Sequence, residues 1–570
     1  MTFRCTFLMA LGLSTALTHP ALAHETERRT ELFKPGVHHA ARELPPTEAA
    51  ALAAAAGYGD FGFDPGTQVP QARAAFEQGI ALLWGFNHAA AVQAFRAAQE
   101  ADPSCFACHW AEAYALGPNL NDGMHDENVG PAFDAAWTAV DTAVSEKEMA
   151  LARALVLRYA FEGGDRDLMN KAFAEAMGEV AARFPNDPNI HVIHADALMN
   201  MQPWDYWEAD GVTPKGNGAE ILAALERAIE LAPEHPAALH LYIHAVEASA
   251  DPARAEGAAD ALRGSVPMAG HLVHMPAHIY NRIWRYEDSI AVNTAAIDAD
   301  ETYLGLAGDG ASALYRYGYY PHNVHFLLVG AQMAGLKDEA LSAAEKLAAV
   351  TSDEVSRDLA WVQAIETAPY TAHAQFSAPE VILALPDPGD AFPFVKGHWH
   401  YARGTALALQ GDLEGALAEQ KAIEAILAEA DLSGLEEQYL PAHDVLEIAK
   451  HIVEARIAQA QQDWPSAEHH LEAAIALEAT IAYMEPPYWY YPVSQTLGAV
   501  RLQAGDFDGA QDAFNAALAS HPGNAWALWG LAEIARRGGA QGAAQEAAQE
   551  AGARFDRAWL GSGAPALNRL

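Results

Sequence analysis

Gly79, Ala91, Phe95, Ala98 and Pro103 recur with the same spacing as Gly498, Ala510, Phe514, Ala517 and Pro522, and the second set runs on into Asn524, Trp526 and Gly530. No other feature constrains the fold of this chain as strongly. Two helices that cross closely need small residues at the crossing. An aromatic side chain then fills the space between pairs, and proline stops the second helix because it lacks an N–H and clashes with the preceding turn. One such pair cannot bury its apolar face alone, so the pattern demands a stack. Steady spacing of Ala, Gly and Pro along the chain predicts one long all-α array, and no segment reads as a strand-rich domain. The small-residue anchors predict further units from near Ser104, Asn186, Glu234, Gly270, Pro321 and Gly397, with degenerate ones around Arg153 and Leu446. Trp204 to Asn217 and Asp300 to Tyr320, rich in Gly, Asp and aromatics, read as loops.

These landmarks resemble the tetratricopeptide repeat (TPR). The resemblance covers most of the chain and implies a right-handed TPR-like superhelical solenoid of antiparallel helix pairs. It also implies that the second, fifth and ninth residues of each unit's first helix face a concave groove, which in that family chiefly binds peptides and proteins. Spacing of i, i+3 and i+7 independently puts such residues on one stripe.

At the N-terminus, Arg4 precedes an apolar run from Phe7 to Leu17, and Ala21-Leu22-Ala23 stands before His24. That is the pattern of a secretory signal peptide, residues 1–23, and places the mature chain in the periplasm or outside the cell. No later run approaches the roughly 20 apolar residues a membrane-spanning helix needs, so no membrane insertion is expected. Residues 24–70, with Pro35, Pro45, Pro46 and Pro65, read as an irregular lead-in. Beyond them the sequence divides into N-terminal repeats over 71–250, a histidine-rich centre over 251–350 and C-terminal repeats over 351–570. A formal charge of -41, from 34 basic and 75 acidic residues, repels nucleic acid and anionic membranes and attracts cations.

The predicted groove stripe is filled with histidine. The unit from Gly270 places His271, His274 and His278 on it, in GHLVHMPAHIYNR; the unit from Pro321 adds His322 and His325. His235, His194 and His398 take stripe places in other units, while His240 and His244, four apart, fall where the family packs helix on helix. Imidazole is the commonest transition-metal ligand, and helical pairs three or four apart can chelate one ion. His240, His244, His271, His274, His278, His322 and His325 are therefore candidate ligands for copper, iron or zinc. Met275 would favour copper, and Glu247 iron or zinc. The bland alternative for His240 and His244 is that they are hydrogen-bonded core residues.

Cys105-Phe106-Ala107-Cys108-His109 matches the attachment motif of c-type haem, in which both thiols form thioethers and the histidine ligates iron. Cys105 and Cys108 also occupy groove-stripe places, which suits a thiolate metal site or a redox disulfide equally. A narrower resemblance is to a group of exported bacterial TPR proteins with CxxC, HMPxHIY and EPPxWYYP segments, here Asp102 to Trp110, His274 to Tyr280 and Glu485 to Pro492. In that group the place of His109 is often aromatic, so haem is not implied by it.

Tyr315, Tyr317, Tyr319 and Tyr320, and the run Tyr488 to Tyr491, could wall a ligand pocket or cap loops. Nothing reads as a phosphate loop, a serine nucleophile elbow or a zinc-protease helix. The sequence thus predicts a solenoid whose groove holds a transition metal, with haem c as an addition, for redox chemistry on a small-molecule ligand or for metal handling. The alternative is a cofactor-free scaffold binding a partner protein or peptide in the same groove.

Overall fold

The structure, a computed structural model, describes residues 57–161, 163–538 and 543–570. The signal segment 1–23 and most of the 24–70 lead-in lie outside them. Among the described residues every regular element is a helix, and each packs mainly on its neighbours in sequence, giving a TPR-like solenoid. No helix is long and apolar enough to cross a membrane.

The landmark residues do what their spacing predicts. In the pair Pro70–Trp84 and His88–Ala101, Phe95 is wholly buried, and a Cβ added at Gly79 would collide with its ring. The pair Val493–Ala504 and Phe507–Ser520 repeats this with Phe514 and Gly498. Burying one such ring contributes roughly 1.5–3 kcal/mol, and the missing glycine side chain lets the helices approach closely enough to bury it. Turns in the C-terminal half share one chemistry: Asp412 and Asp506 each cap the following helix by accepting from a backbone N–H at 3.0 Å. Such a cap is worth about 1 kcal/mol.

The expected unit starts lie at helix starts Phe106, Pro188, Pro236, Gly270, Tyr320 and Pro393, and Ala360–Phe376 opens a pair not marked in the sequence reading. Asp300 to Tyr320 is only partly a loop. The helix Tyr286–Ala307 runs through Asp300, with Ala299, Tyr303, Leu304 and Ala307 buried along one side, and a π-helical turn over Tyr315–Tyr319 leads into Tyr320–Ala334. Buried Asp300 ties the two ends, accepting from Tyr315 Oη at 2.6 Å and Asn323 Nδ2 at 2.7 Å.

The array also folds back on itself. Trp526 Nε1 donates to the carbonyl of Gln332 at 3.2 Å, and Leu560 N to that of Ala334 at 2.9 Å. The segment between Glu478 and Val493 reaches the centre, where Tyr490 joins a core otherwise built from the first two thirds of the chain. That return wall encloses the histidines.

Candidate metal centre

Four helical segments carry the central imidazoles. Pro236–Val246 holds His240 and His244; the nearly continuous Gly270–His274 and Pro276–Arg282 hold His271, His274 and His278; Tyr320–Ala334 holds His322 and His325. Residues four apart lie one above the other on a helix, so His240 with His244 and His274 with His278 each present two rings on one side. The ligand atoms gather in two sets, His240, His244 and His271, and His274, His278 and His322, each within 4.8 Å of one another. His240 Nε2 stands 3.2 Å from His271 Nε2, and His274 Nε2 stands 2.9 Å from His278 Nε2. Two nitrogens bound to one tetrahedral ion at about 2.0–2.1 Å are separated by about 3.3 Å, so both spacings suit shared coordination.

The outward nitrogens decide which atoms face inward. Glu247 Oε1 lies 2.9 Å from His244 Nδ1, and Oε2 lies 2.5 Å from His278 Nδ1. Burial opposes ionisation of Glu247, but His278 and His244 overcome it and hold the carboxyl well below its ordinary range, so it accepts. His274 Nδ1 is 2.6 Å from Asn293 Oδ1, whose orientation is fixed because its Nδ2 donates to Ser289 O at 2.8 Å. Asn293 and Glu247 thus take up Nδ1 of His274 and His278, which leaves the two Nε2 atoms facing each other. His244 Nε2, also buried, has no hydrogen-bond partner. Burial first, and neighbouring imidazoles second, hold His240, His271, His274 and His322 well below the usual histidine range, which keeps these rings neutral and their lone pairs available.

A cavity of about 120 Å³ opens beside the cluster. His244, His271, His278, His322 and His325 line one side; Trp204, Tyr319 and Trp361 flank them, and Tyr483, Glu485 and Tyr488 close the cavity from the C-terminal half. Burial pushes the Glu485 carboxyl up to about 7. Arg282 secures this wall, donating to the Glu247 carbonyl at 2.6 Å while its guanidinium lies 4.8 Å from the Tyr483 ring. Trp204, edge-on to His244 at 4.8 Å, has φ 64°, and Phe86, against the first set of rings, has φ 57°. Large side chains rarely adopt this left-handed conformation, and such strain gathers at functional sites.

Not every candidate joins the centre. His325 lines the cavity, but its Nε2 pairs with the Tyr490 hydroxyl at 2.9 Å. His235 bonds Asn189 at 3.0 Å and caps its own helix, His398 contacts the Phe394 carbonyl at 3.0 Å, and His194 stands 3.7 Å from Glu220. Met275 is wholly buried in the core. Cys105 and Cys108 are joined in a disulfide and buried, His109 Nε2 lies 3.0 Å from the Pro103 carbonyl, and none of the three lines the cavity. Of the readings open for this pair, the geometry presents the disulfide. Phe86, Asn293, Trp204 and Trp361 reach the site from elements without a histidine pattern, and Phe326 from the His322 helix as an apolar residue with no signal of its own; the sequence singles out none of the five.

No family model matches this chain, and no curated protein does. Among solved structures it is similar to a human IFIT1 dimer with m7Gppp-AAAA at 12% identity, covering 90% of this chain and 93% of that one, with a TM-score of 0.28. It is also similar to yeast Tom70 at 12% identity, covering 86% of this chain and 88% of that one, with a TM-score of 0.24. At these values the likeness assigns neither family nor activity.

Proposed function

We propose that this chain is a transition-metal protein whose central imidazoles hold copper, iron or zinc beside a small-molecule cavity, for redox chemistry on that molecule or for handling of the metal. One observation carries the reading: His274 Nε2 and His278 Nε2 face each other at 2.9 Å while their Nδ1 protons point to Asn293 and Glu247. Two lone pairs at that distance repel unless a metal ion or a proton lies between them. Support by an outer carboxylate and amide is the usual way a protein orients metal-binding imidazoles. The cavity's aromatic walls suit a flat, largely apolar ligand. An exported location, proposed from residues 1–23, agrees with the disulfide, because such bonds persist outside reducing compartments.

The peptide-scaffold alternative draws on the repeat architecture, but Tyr483, Glu485 and Tyr488 already stand in front of the histidine face. Elemental analysis of the full chain, purified from an oxidising compartment and then offered copper, iron(II) or zinc, tests the proposal. Bound metal that falls in folded His278→Gln supports it. A wild-type chain that retains none of the three sinks it.

A further inference from the structure

We infer that the central imidazoles hold two copper(I) ions side by side, one in each set of three, with Glu247 as the positioning residue common to both. The inference rests on the metal reading above and goes beyond it in the number of ions, the element and the residue that joins them.

The number follows from a duplicated construction. Each set takes a pair four apart from one unit and a third ring from the next: His240 and His244 with His271, then His274 and His278 with His322. Each set also has its own phenyl ring touching all three imidazoles. Phe86 lies 4.8, 5.8 and 4.9 Å from His240, His244 and His271. Phe326 lies 4.6, 4.6 and 4.9 Å from His274, His278 and His322. A single ion bound by all the rings would need one point of convergence, whereas these converge in two sets. The sets are neighbours, with ring centroids 5.6 Å apart for His244 and His278 and 6.0 Å for His271 and His274.

The element follows from charge and donor type. Both sets are all imidazole, and the Glu247 oxygens are committed to outward nitrogens, so no carboxylate enters either one. Two zinc or iron(II) ions would bring four positive charges among Phe86, Phe326 and the surrounding core, with Glu247 and Glu485 the carboxylates lining the cavity. Buried charge without nearby compensation is costly. Two copper(I) ions bring half as much, and copper(I) accepts three neutral nitrogen ligands. Imidazole is among the ligands that suit copper.

Glu247 spans the sets, holding His244 of the first through Oε1 and His278 of the second through Oε2. Loss of a ligand should therefore cost one ion, and loss of this carboxylate should loosen both. Anaerobic titration of the full chain with copper(I) against a chromophoric chelator counts the ions. Two per chain are expected for wild type, and one each for H240Q/H244Q and H274Q/H278Q. E247Q should still bind two, each about 10–100-fold more weakly, with X-ray absorption still reporting three nitrogen neighbours per copper. Circular dichroism verifies folding; should a double variant fail to fold, His322→Gln, at a half-buried position, takes its place and is expected to keep one tightly held ion. One copper(I) ion in wild type, or none while zinc(II) or iron(II) is retained, overturns this inference and leaves the metal reading standing; retention of none of the three metals overturns both. Tighter binding of zinc(II) than copper(I) overturns the element, and weakening of a single ion in E247Q overturns the shared role of Glu247.

Discussion

At His451, Glu454 and His470 a carboxylate sits between two rings. Glu454 Oε2 is 2.9 Å from Nδ1 of each histidine, and Oε1 accepts from Gln420 at 2.9 Å. All three side chains are partly exposed. In the central cluster the carboxylate stands behind two of the rings, grips Nδ1 of His244 and of His278, and leaves their Nε2 atoms on the inner side of a buried pocket. Both groups bring three or more potential ligands within reach of one point. The difference is where the acceptor lies. A carboxylate among the rings takes up their near nitrogens itself; a carboxylate behind them turns the far nitrogens toward neighbouring imidazoles. Proximity of histidine and acid identifies neither case without the partner of each nitrogen.

Four measurements break or sharpen that contrast. The largest effect is expected for Phe326→Ala, which removes a wholly buried ring from behind His274, His278 and His322 and should cost about 3–5 kcal/mol in chemical denaturation. A loss below about 1 kcal/mol would mean that the pocket is not packed as described. Next comes Glu247→Gln beside Glu454→Gln. The first should weaken metal binding about 10–100-fold, the second should leave it unchanged, and equal effects would erase the distinction between the two groups. Smaller again is Tyr490→Phe, which frees His325 Nε2 and should cost about 1 kcal/mol of stability without altering metal content. If metal falls with it, His325 belongs to the centre after all.

The smallest effect is on stability in Glu454→Gln, about 0–1 kcal/mol at neutral pH because the pair is partly solvated. Burial opposes ionisation of Glu454, but hydrogen bonds from His451 and His470 win and hold the carboxyl down to about 2. A carboxyl lowered by folding contributes stability above its unfolded pKa and loses it as pH falls through the folded value. The gap between wild type and variant should accordingly shrink between about pH 4.5 and pH 2, seen in urea midpoints across that range. A gap that widens on acidification would reverse the assignment.

The fold was legible because Gly79, Phe95 and their counterparts Gly498 and Phe514 act within one helix pair, where spacing in sequence equals spacing in structure. Half of the centre was legible for the same reason, since His274 with His278 is a local pattern. His240 and His244 were read with equal weight as packing residues, because the family's interhelical places and its groove are distinguished by helix rotation that spacing alone does not set. The surroundings of His325 were not legible for the opposite reason: it is three residues from His322, but its partner Tyr490 is 165 residues away. Asp300 to Tyr320 was read as a loop from its Gly and Asp content, while the buried series Ala299, Tyr303, Leu304 and Ala307 carried the helical signal. Phe86 and Phe326 had no chance of standing out, since a phenylalanine behind an imidazole has the same pattern as any core residue.

The return wall has a consequence in time as well as in space. The imidazoles all lie before residue 326, whereas Tyr483, which reaches Glu247 across 236 residues, and Tyr488 are among the later parts of the chain to be synthesised. Closing so long a loop is slow compared with pairing adjacent helices. Two kinds of contact thus divide the work: the histidines are gathered by pairings between successive units, and their cover depends on one closure across more than two hundred residues.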